Sequence, residues 1–274
     1  MKRKLNKFVF LFILPVCMIL LSGFFSVAAT QTAYAVSGNG GAIYVGANST
    51  YNYNRGSISG SKASGNGGGV YVDAGGTFNM TGGTISGNTA MKGGGVYVST
   101  NGNFTLNSGE ISGNTATEGS GGNIYNGGTF VMNGGTVGKS SSPALFYNFY
   151  NTTTKLYGGN FYENIYSYSD IEAKVEANIT GQIEFVETGV LTIENYAGTT
   201  PKYTIRVTST REKGAIIVFK GGSETAPDLS KIVIGGYDTN NYVISCEKDS
   251  NNVWTIGLSQ RKTTVTFNPT FGTC

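Results

Sequence analysis

The feature that most constrains this chain is a glycine-rich unit that recurs about every 26 residues. One copy starts at Gly67 with Gly-Gly-Gly-Val-Tyr-Val, and the next starts at Gly93 with the same six residues, 93 − 67 = 26 positions later. A fixed period of 20–50 residues is typical of solenoids. In a solenoid each unit packs mainly on its neighbours, so the chain offers an extended surface rather than one deep pocket.

Three apolar positions recur in phase within the unit. They are Ile43, Val70, Val96 and Ile124; then Tyr51, Phe78, Phe104 and Phe130; then Ile58, Ile85, Ile111 and Val137. Apolar and polar residues alternate around each position, which predicts strands, and the glycines between them suit sharp corners. We therefore predict an all-β parallel β-helix with three short strands per coil. Equivalent side chains should stack about 4.8 Å apart.

Three other repeat architectures fit less well. A leucine-rich repeat has a similar period, but Leu106 is the only leucine between residues 36 and 144. A propeller blade needs about 40 residues and four strands. A calcium-binding glycine–aspartate array needs an aspartate in each copy, and Asp73 alone lies beside a glycine run in this stretch.

The composition changes after the repeats. Residues 36–165 carry the regular units, and residues 166–260 lose them but keep strand-like alternation, as in Tyr203, Ile205 and Val207. We interpret residues 166–260 as degenerate coils with a cap, because the last coil of a solenoid exposes unpaired backbone groups. A separate small β-sandwich is the alternative for this segment.

Residues 1–35 have the pattern of a secretory signal peptide. A basic start is followed by an apolar run from Phe8 to Val27 and by Ala33-Tyr34-Ala35, which predicts cleavage after Ala35. A transmembrane anchor is the alternative, given the length of the apolar run. Without this segment the chain keeps 19 − 4 = 15 basic and 16 acidic residues. The charge therefore gives no reason to expect nucleic acid as a partner.

The repeat strings resemble those of known surface proteins. Gly40-Gly41-Ala42-Ile43 is similar to the Gly-Gly-Ala-Ile signature of chlamydial polymorphic membrane protein repeats, and Phe104–Asn107 and Phe130–Asn133 are similar to their Phe-x-x-Asn signature. The resemblance implies a right-handed parallel β-helix of the adhesin-like kind. Residues 261–274 resemble the start of a Listeria–Bacteroides repeat, which implies a multidomain surface protein that is truncated here.

Catalytic and metal chemistry finds little support in the sequence. The chain has no histidine, and between residues 36 and 150 its acids are Asp73, Glu110 and Glu118, each in a different column of the repeat. Glycosidases need two carboxylates at a set separation. The acids of residues 163–249 look scattered, as on a solvated face. We therefore predict no enzyme activity, no catalytic or metal-binding residue and no cofactor.

The best candidate site is a column of tyrosines: Tyr44, Tyr71, Tyr97 and Tyr125. If the flanking valines point inward, these rings point outward, where they could stack on sugar rings or on partner side chains. The alternative is a ladder whose rings stabilise one another across strands. Asn88 and Asn114 form another column, for which we predict amide-to-amide hydrogen bonds along the axis and a structural role.

The function that these features favour is a secreted or cell-surface, adhesin-like β-helix protein. It would act as a stalk, as a binding surface for a host or microbial glycan or protein, or as both, and we expect a monomer without a small-molecule cofactor. An outer-membrane-associated location is the alternative for a Gram-negative source. The alternative function is a polysaccharide lyase or hydrolase on the same scaffold, and a truncated remnant without separate activity is a third reading.

Overall fold

The computed structural model describes residues 38–139, 145–174, 176–186, 189–194, 205–209, 214–221, 223–227, 230, 232–235 and 241–260, together with 30–31 and 35–36. Most of the predicted signal peptide and all of the predicted repeat start at 261–274 lie outside the described residues. Within these ranges the chain is all-β, and strands β1–β28, numbered in chain order, form three sheets. These ranges contain no helix of the length and apolarity that a membrane crossing requires.

Each sheet collects one strand, or two, from successive coils. Sheet I contains β3 Ile43–Val45, β7 Val70–Val72, β10 Val96–Val98, β13 Ile124–Asn126, β16 Leu145–Asn148, β19 Asn164–Ser167, β22 Gln182–Phe185, β24 Ile205–Ser209 and β26 Ile232–Gly235. Sheet II contains β1 Thr30–Gln31, β4 Thr50–Tyr53, β5 Ser57–Ser59, β8 Thr77–Ser86, β11 Asn103–Ser112, β14 Thr129–Met132, β15 Thr136–Val137, β17 Thr153–Leu156, β18 Asn160–Phe161, β20 Ile171–Lys174, β21 Asn178–Ile179, β23 Leu191–Glu194, β25 Gly214–Phe219, β27 Tyr242–Lys248 and β28 Trp254–Gln260. Sheet III contains β2 Ala35–Val36, β6 Lys62–Ala63, β9 Thr89–Lys92 and β12 Thr115–Ser120.

The strand register confirms the parallel β-helix. Every strand pair within sheet I is parallel, and Val70 lies opposite Val96 as the repeat predicts. In sheet II, Phe104 pairs with Phe78 on one side and with Phe130 on the other. Each coil therefore places the same residue type at the same point of the cross-section. The right-handed sense of the coil stays a prediction.

The division into three strands per coil differs from the predicted one. The second and third apolar positions lie on the same sheet, because β8 and β11 run through both of them with a register shift near Ser108. Gly83 and Gly109, which both have positive φ angles, lie between the two apolar positions within these strands. The third side of the coil is instead sheet III, which the repeat pattern did not reveal.

The core lies between the sheets and consists of stacked columns. Phe78, Phe104 and Phe130 are fully buried, and their ring centroids are 5.3 and 5.1 Å apart along the column. Isoleucines, valines, leucines, methionines and further phenylalanines of sheets I and II fill the remaining interior. Because the inward positions alternate with outward ones, every second residue of a strand points to the surface.

Parallel pairing continues beyond the regular repeats. Strand β22 pairs with β24, β24 with β26, and β23 with β25, all in parallel. Sheet II then changes direction, because β28 pairs antiparallel with both β25 and β27. The described later coils thus extend the same sheets, and sheet II ends in an antiparallel hairpin within the described residues, while the predicted cap stays a prediction.

The glycine triplets have two separate structural roles. The first glycine, as in Gly93, takes a positive φ angle of 60°. The second, as in Gly94, lies where adjacent coils approach closely: a Cβ added there would be 2.3 Å from the carbonyl oxygen of Thr115. Both facts explain why no other residue type replaces glycine at these points of the repeat.

We predict that Gly94→Ala lowers the free energy of unfolding by about 2 kcal/mol, a typical cost of forcing extra atoms into a packed site. Urea denaturation measures the change. Gly46→Ala is the matched control, because the nearest atom to its added Cβ is 3.7 Å away in the ring of Tyr44, an ordinary van der Waals distance. Equal stability of the two variants would contradict the close approach at Gly94.

Candidate binding surface

The four predicted tyrosines lie together on the outer face of sheet I. Their registers place Tyr44 opposite Tyr71, Tyr71 opposite Tyr97, and Tyr97 opposite Tyr125. The ring centroids are 5.3, 5.2 and 4.7 Å apart, with interplanar angles of 8°, 3° and 10°. The rings therefore form one continuous face-to-face stack, which we call the tyrosine ladder.

The exposure of the rings falls along the ladder. Tyr44 is 54% exposed, Tyr71 and Tyr97 are half-buried, and Tyr125 is only 6% exposed. Lys92 contributes to this covering, with its Nζ 6.0 Å from the centroid of the Tyr125 ring. The rings lie on the outer face while the flanking valines are buried, as the alternation predicted, and the exposed fraction decreases from Tyr44 to Tyr125.

Ring stacking limits what the ladder can bind. Tyr71, Tyr97 and Tyr125 each have neighbouring rings on both faces, so a sugar ring has no open face to stack on there. Their edges and hydroxyl groups remain the parts available for contact. The ladder thus has the geometry of the self-stabilising alternative, and its role in ligand binding stays a prediction.

The sequence pattern missed two further members of the ladder. Tyr147 stacks on Tyr125 with centroids 5.0 Å apart, and Tyr166 follows Tyr147 at 5.7 Å. The spacing shortens to 147 − 125 = 22 and 166 − 147 = 19 residues. Sheet III ends at β12 in the described part of the chain, so these coils are shorter. The sequence pattern that could have revealed these two tyrosines is the apolar–tyrosine pair in each strand, Phe146-Tyr147 and Ile165-Tyr166.

Beside the end of the ladder lies a cluster that we call the aromatic patch, made of Phe149, Tyr150 and Tyr168. Phe149 is 39% exposed and Tyr150 is 42% exposed. The centroids of Tyr150 and Tyr168 are 4.2 Å apart, and the ring of Phe149 meets Tyr150 edge-on at 5.3 Å. The rings are tilted against one another rather than stacked in register. Parts of their faces therefore meet solvent.

Burial changes the acid–base behaviour of the ladder. It raises the pKa of Tyr125 from 10.0 to about 12, with the charge of Tyr97 adding to the effect. It also raises the pKa of Tyr97 and that of Tyr147, where the hydrogen bond between the Tyr147 and Tyr168 hydroxyls adds to the effect. The neutral phenol is the form that fits the stacked rings.

We predict that the protein loses stability as the pH rises from about 10 to about 12. The folded chain keeps the proton of Tyr125 to a higher pH than the unfolded chain does, so raising the pH favours unfolding. Tyr125→Phe keeps the ring but removes the titrating hydroxyl group. The stability of this variant should therefore fall less steeply with rising pH than that of the parent. Urea midpoints measured across this pH range test the difference. An unchanged slope in the variant would contradict the assignment.

A ladder of buried amides runs parallel to the aromatic columns. The Nδ2 of Asn88 donates to Oδ1 of Asn114 at 2.9 Å, which confirms the predicted pair. The structure extends it: Asn114 donates to Asn123 at 2.7 Å, and Asn123 donates to Glu163 at 2.6 Å. All four side chains are buried. Hydrogen bonds link the four side chains in series inside the fold, so this ladder is structural.

Acids of the later coils are less scattered than the sequence suggested. Asp170, Glu172 and Glu194 line a cleft of about 330 Å³ on the outer face of sheet II, together with Lys155 and Lys220. We call it the charged cleft. Glu172 lies 3.1 Å from Lys155, and Glu194 lies 3.3 Å from Lys220. Strand pairing between β17, β20 and β23 brings these residues together.

Glu172 is held in its ionised form. Burial alone would raise the pKa of this carboxyl, but the hydrogen bond from the Tyr157 hydroxyl and the contact with Lys155 outweigh burial and lower the pKa. A carboxyl of this kind does not act as a general acid at neutral pH. Among the described residues, no three histidine, cysteine or acidic side chains are grouped as a metal site would require.

Comparison with protein-family models, with curated proteins and with solved structures gave no match for this chain. The assignment of a role therefore depends on the surfaces described above.

Proposed function

We propose that this chain is an adhesin-like β-helix protein, secreted or displayed at the cell surface, that binds glycans through the aromatic patch. One observation carries the proposal: Phe149 and Tyr150 are two exposed rings next to each other that meet edge-on instead of stacking face to face. Exposed apolar patches bordered by polar groups are typical of interaction sites.

The surroundings of the aromatic patch favour a sugar over an apolar partner. Hydroxyl groups border the rings: Ser169 donates its Oγ to the carbonyl oxygen of Phe149 at 2.8 Å, and Thr152 donates to the same oxygen at 2.9 Å. Sugar rings present C–H groups on their faces and hydroxyl groups on their rims. A surface with aromatic faces and a hydroxyl border matches both.

In this proposal the coils below the patch act as the stalk. The hydrogen-bonded strands of sheets I and II fix the positions of the rings of the aromatic patch. Rigid placement reduces the conformational entropy lost on binding.

Glycan-array and polysaccharide pull-down experiments with the purified protein test the proposal. We expect Phe149→Ser/Tyr150→Ser to bind about tenfold more weakly, which corresponds to a loss of about 1.4 kcal/mol. Met91→Ser is the control, because Met91 is similarly exposed, at 40%, but lies on sheet III. Unchanged binding by the double variant, or no glycan binding by the parent, would overturn the proposal.

A polysaccharide-active enzyme is the second candidate, and the charged cleft is the observation in its favour. Two of its three acids are engaged by lysines, which suits a charge network on the surface as well as a catalytic site. A reducing-end assay on polysaccharides separates the two candidates. Cleavage that disappears in Glu172→Gln would support the enzyme, whereas absence of cleavage would leave the binding protein.

A further inference from the structure

Tyr44 differs from the other rings of the tyrosine ladder in its hydroxyl contact. Its hydroxyl donates a hydrogen bond to Oδ2 of Asp73 at 2.6 Å. Tyr44 is also the most exposed member of the ladder, on β3, where sheet I ends in the described part of the chain. An accessible phenol thus has a carboxylate in direct contact at the end of a stack of rings.

This arrangement matches what one-electron oxidation of a phenol requires. When a tyrosine loses an electron its hydroxyl becomes strongly acidic, so the reaction proceeds readily only where a base accepts the proton. The hydrogen bond from Tyr44 holds the pKa of Asp73 below its ordinary value, so Asp73 is ionised and able to accept. The pKa of Tyr44 is also raised, with the hydrogen bond to Asp73 as the largest cause, so the distinguishing feature of Tyr44 is the carboxylate in contact with its hydroxyl.

The stacked rings extend the reach of this site. Tyr71 and Tyr97 lie at centroid distances of 5.3 and 5.2 Å along the path to Tyr44. Rings in contact exchange an electron readily. If an inner ring loses an electron, the resulting radical cation can therefore pass from ring to ring along the ladder. It becomes fixed as a neutral radical where the proton can depart, which is at Tyr44.

We propose that Tyr44 is a site of one-electron oxidation and of dityrosine cross-linking between two copies of the chain, with Asp73 as the proton acceptor. The oxidant is hydrogen peroxide acting through a haem peroxidase. Each Tyr44 gives one electron to the peroxidase and one proton to Asp73, which passes it to water. The two radicals then join through a carbon–carbon bond between ring positions next to the hydroxyl groups. Each of these carbons loses its hydrogen as the rings regain aromaticity and both phenols are restored, so two tyrosines and one peroxide give one dityrosine and two waters.

This inference is independent of the proposed glycan binding, because it uses the opposite end of the ladder from the aromatic patch. The test treats the purified protein with a haem peroxidase and hydrogen peroxide. Dityrosine fluorescence, covalent dimer on denaturing gels and peptide mapping of the cross-link are the measurements. The parent should give a dimer joined through Tyr44.

Three variants make the test specific. Tyr44→Phe keeps the stacked ring and should lose most of the dimer. Asp73→Asn keeps the size of the side chain but not the base. It should slow cross-linking by about tenfold, less than the usual effect of a positioned general base because water also accepts protons here. Asp73→Glu should restore part of the rate.

Tyr51→Phe is the control, because Tyr51 is also exposed, at 42%, but lies on sheet II. Its cross-linking should equal that of the parent, and circular dichroism should show the same fold in all variants. A dimer that persists in Tyr44→Phe, a cross-link that maps to Tyr51 or Tyr150, or an unchanged rate in Asp73→Asn would each overturn the proposal.

Discussion

Replacing Phe104 with alanine is expected to lower the free energy of unfolding by about 4 kcal/mol, within the range for removing a buried aromatic ring. Phe104 is fully buried, and its ring lies between those of Phe78 and Phe130. The coils above and below are fixed by backbone hydrogen bonds in sheet II, so they cannot close the gap that the missing ring leaves. The substitution therefore creates a cavity rather than a local collapse.

Chemical denaturation followed by circular dichroism measures this effect. Phe149→Ala provides the comparison, because it removes the same atoms from a ring that is 39% exposed. Its cost should stay below about 1 kcal/mol, as for other surface substitutions. If both variants lose the same stability, the column of phenylalanines does not determine the stability of the coil.

Replacing Asn114 with alanine is expected to cost about 3 kcal/mol, because it leaves several buried groups without hydrogen bonds. Oδ1 of Asn114 accepts from both the backbone nitrogen and Nδ2 of Asn88, while its own Nδ2 donates to Ile85 and Asn123. Water does not reach these buried positions easily, so the lost bonds are not replaced.

The chain offers a matched control for this prediction. Asn133 donates from Nδ2 to Oδ1 of Asn107 at 2.9 Å, the same bond as between Asn88 and Asn114, but on the surface. Asn133→Ala should change the unfolding free energy by no more than about 0.5 kcal/mol, since water can replace the partner. Comparable losses in the two variants would show that the buried position of Asn114 gives it no special role.

The stacked columns were predictable because a solenoid repeats its cross-section. Once Val70 and Val96 are recognised as equivalent, their pairing follows from the parallel register, and the pairing of Phe78 with Phe104 follows in the same way. The prediction for Asn88 and Asn114 succeeded for the same reason. In each case a local repeat in the sequence corresponds to a contact in space.

Features that depend on differences between coils were not predictable. Sheet III ends at β12 within the described residues, which shortens later coils and brings Tyr147 under Tyr125 without the regular spacing. The same shortening places Glu163 at the end of the amide ladder. Predicting that Asp170 and Glu172 lie close to Glu194 would also have required the strand register of the irregular coils.

The antiparallel hairpin of β27 and β28 makes the two ends of the solenoid unequal. A copy of this molecule placed in line at that end would have to offer its strands to β27, whose direction and register differ from those of the parallel coils. A copy that continued the parallel register of the coils would therefore not match sheet II at this end. A protein built from the same stacking contacts as a fibril thus breaks the parallel register of one of its sheets within its own chain.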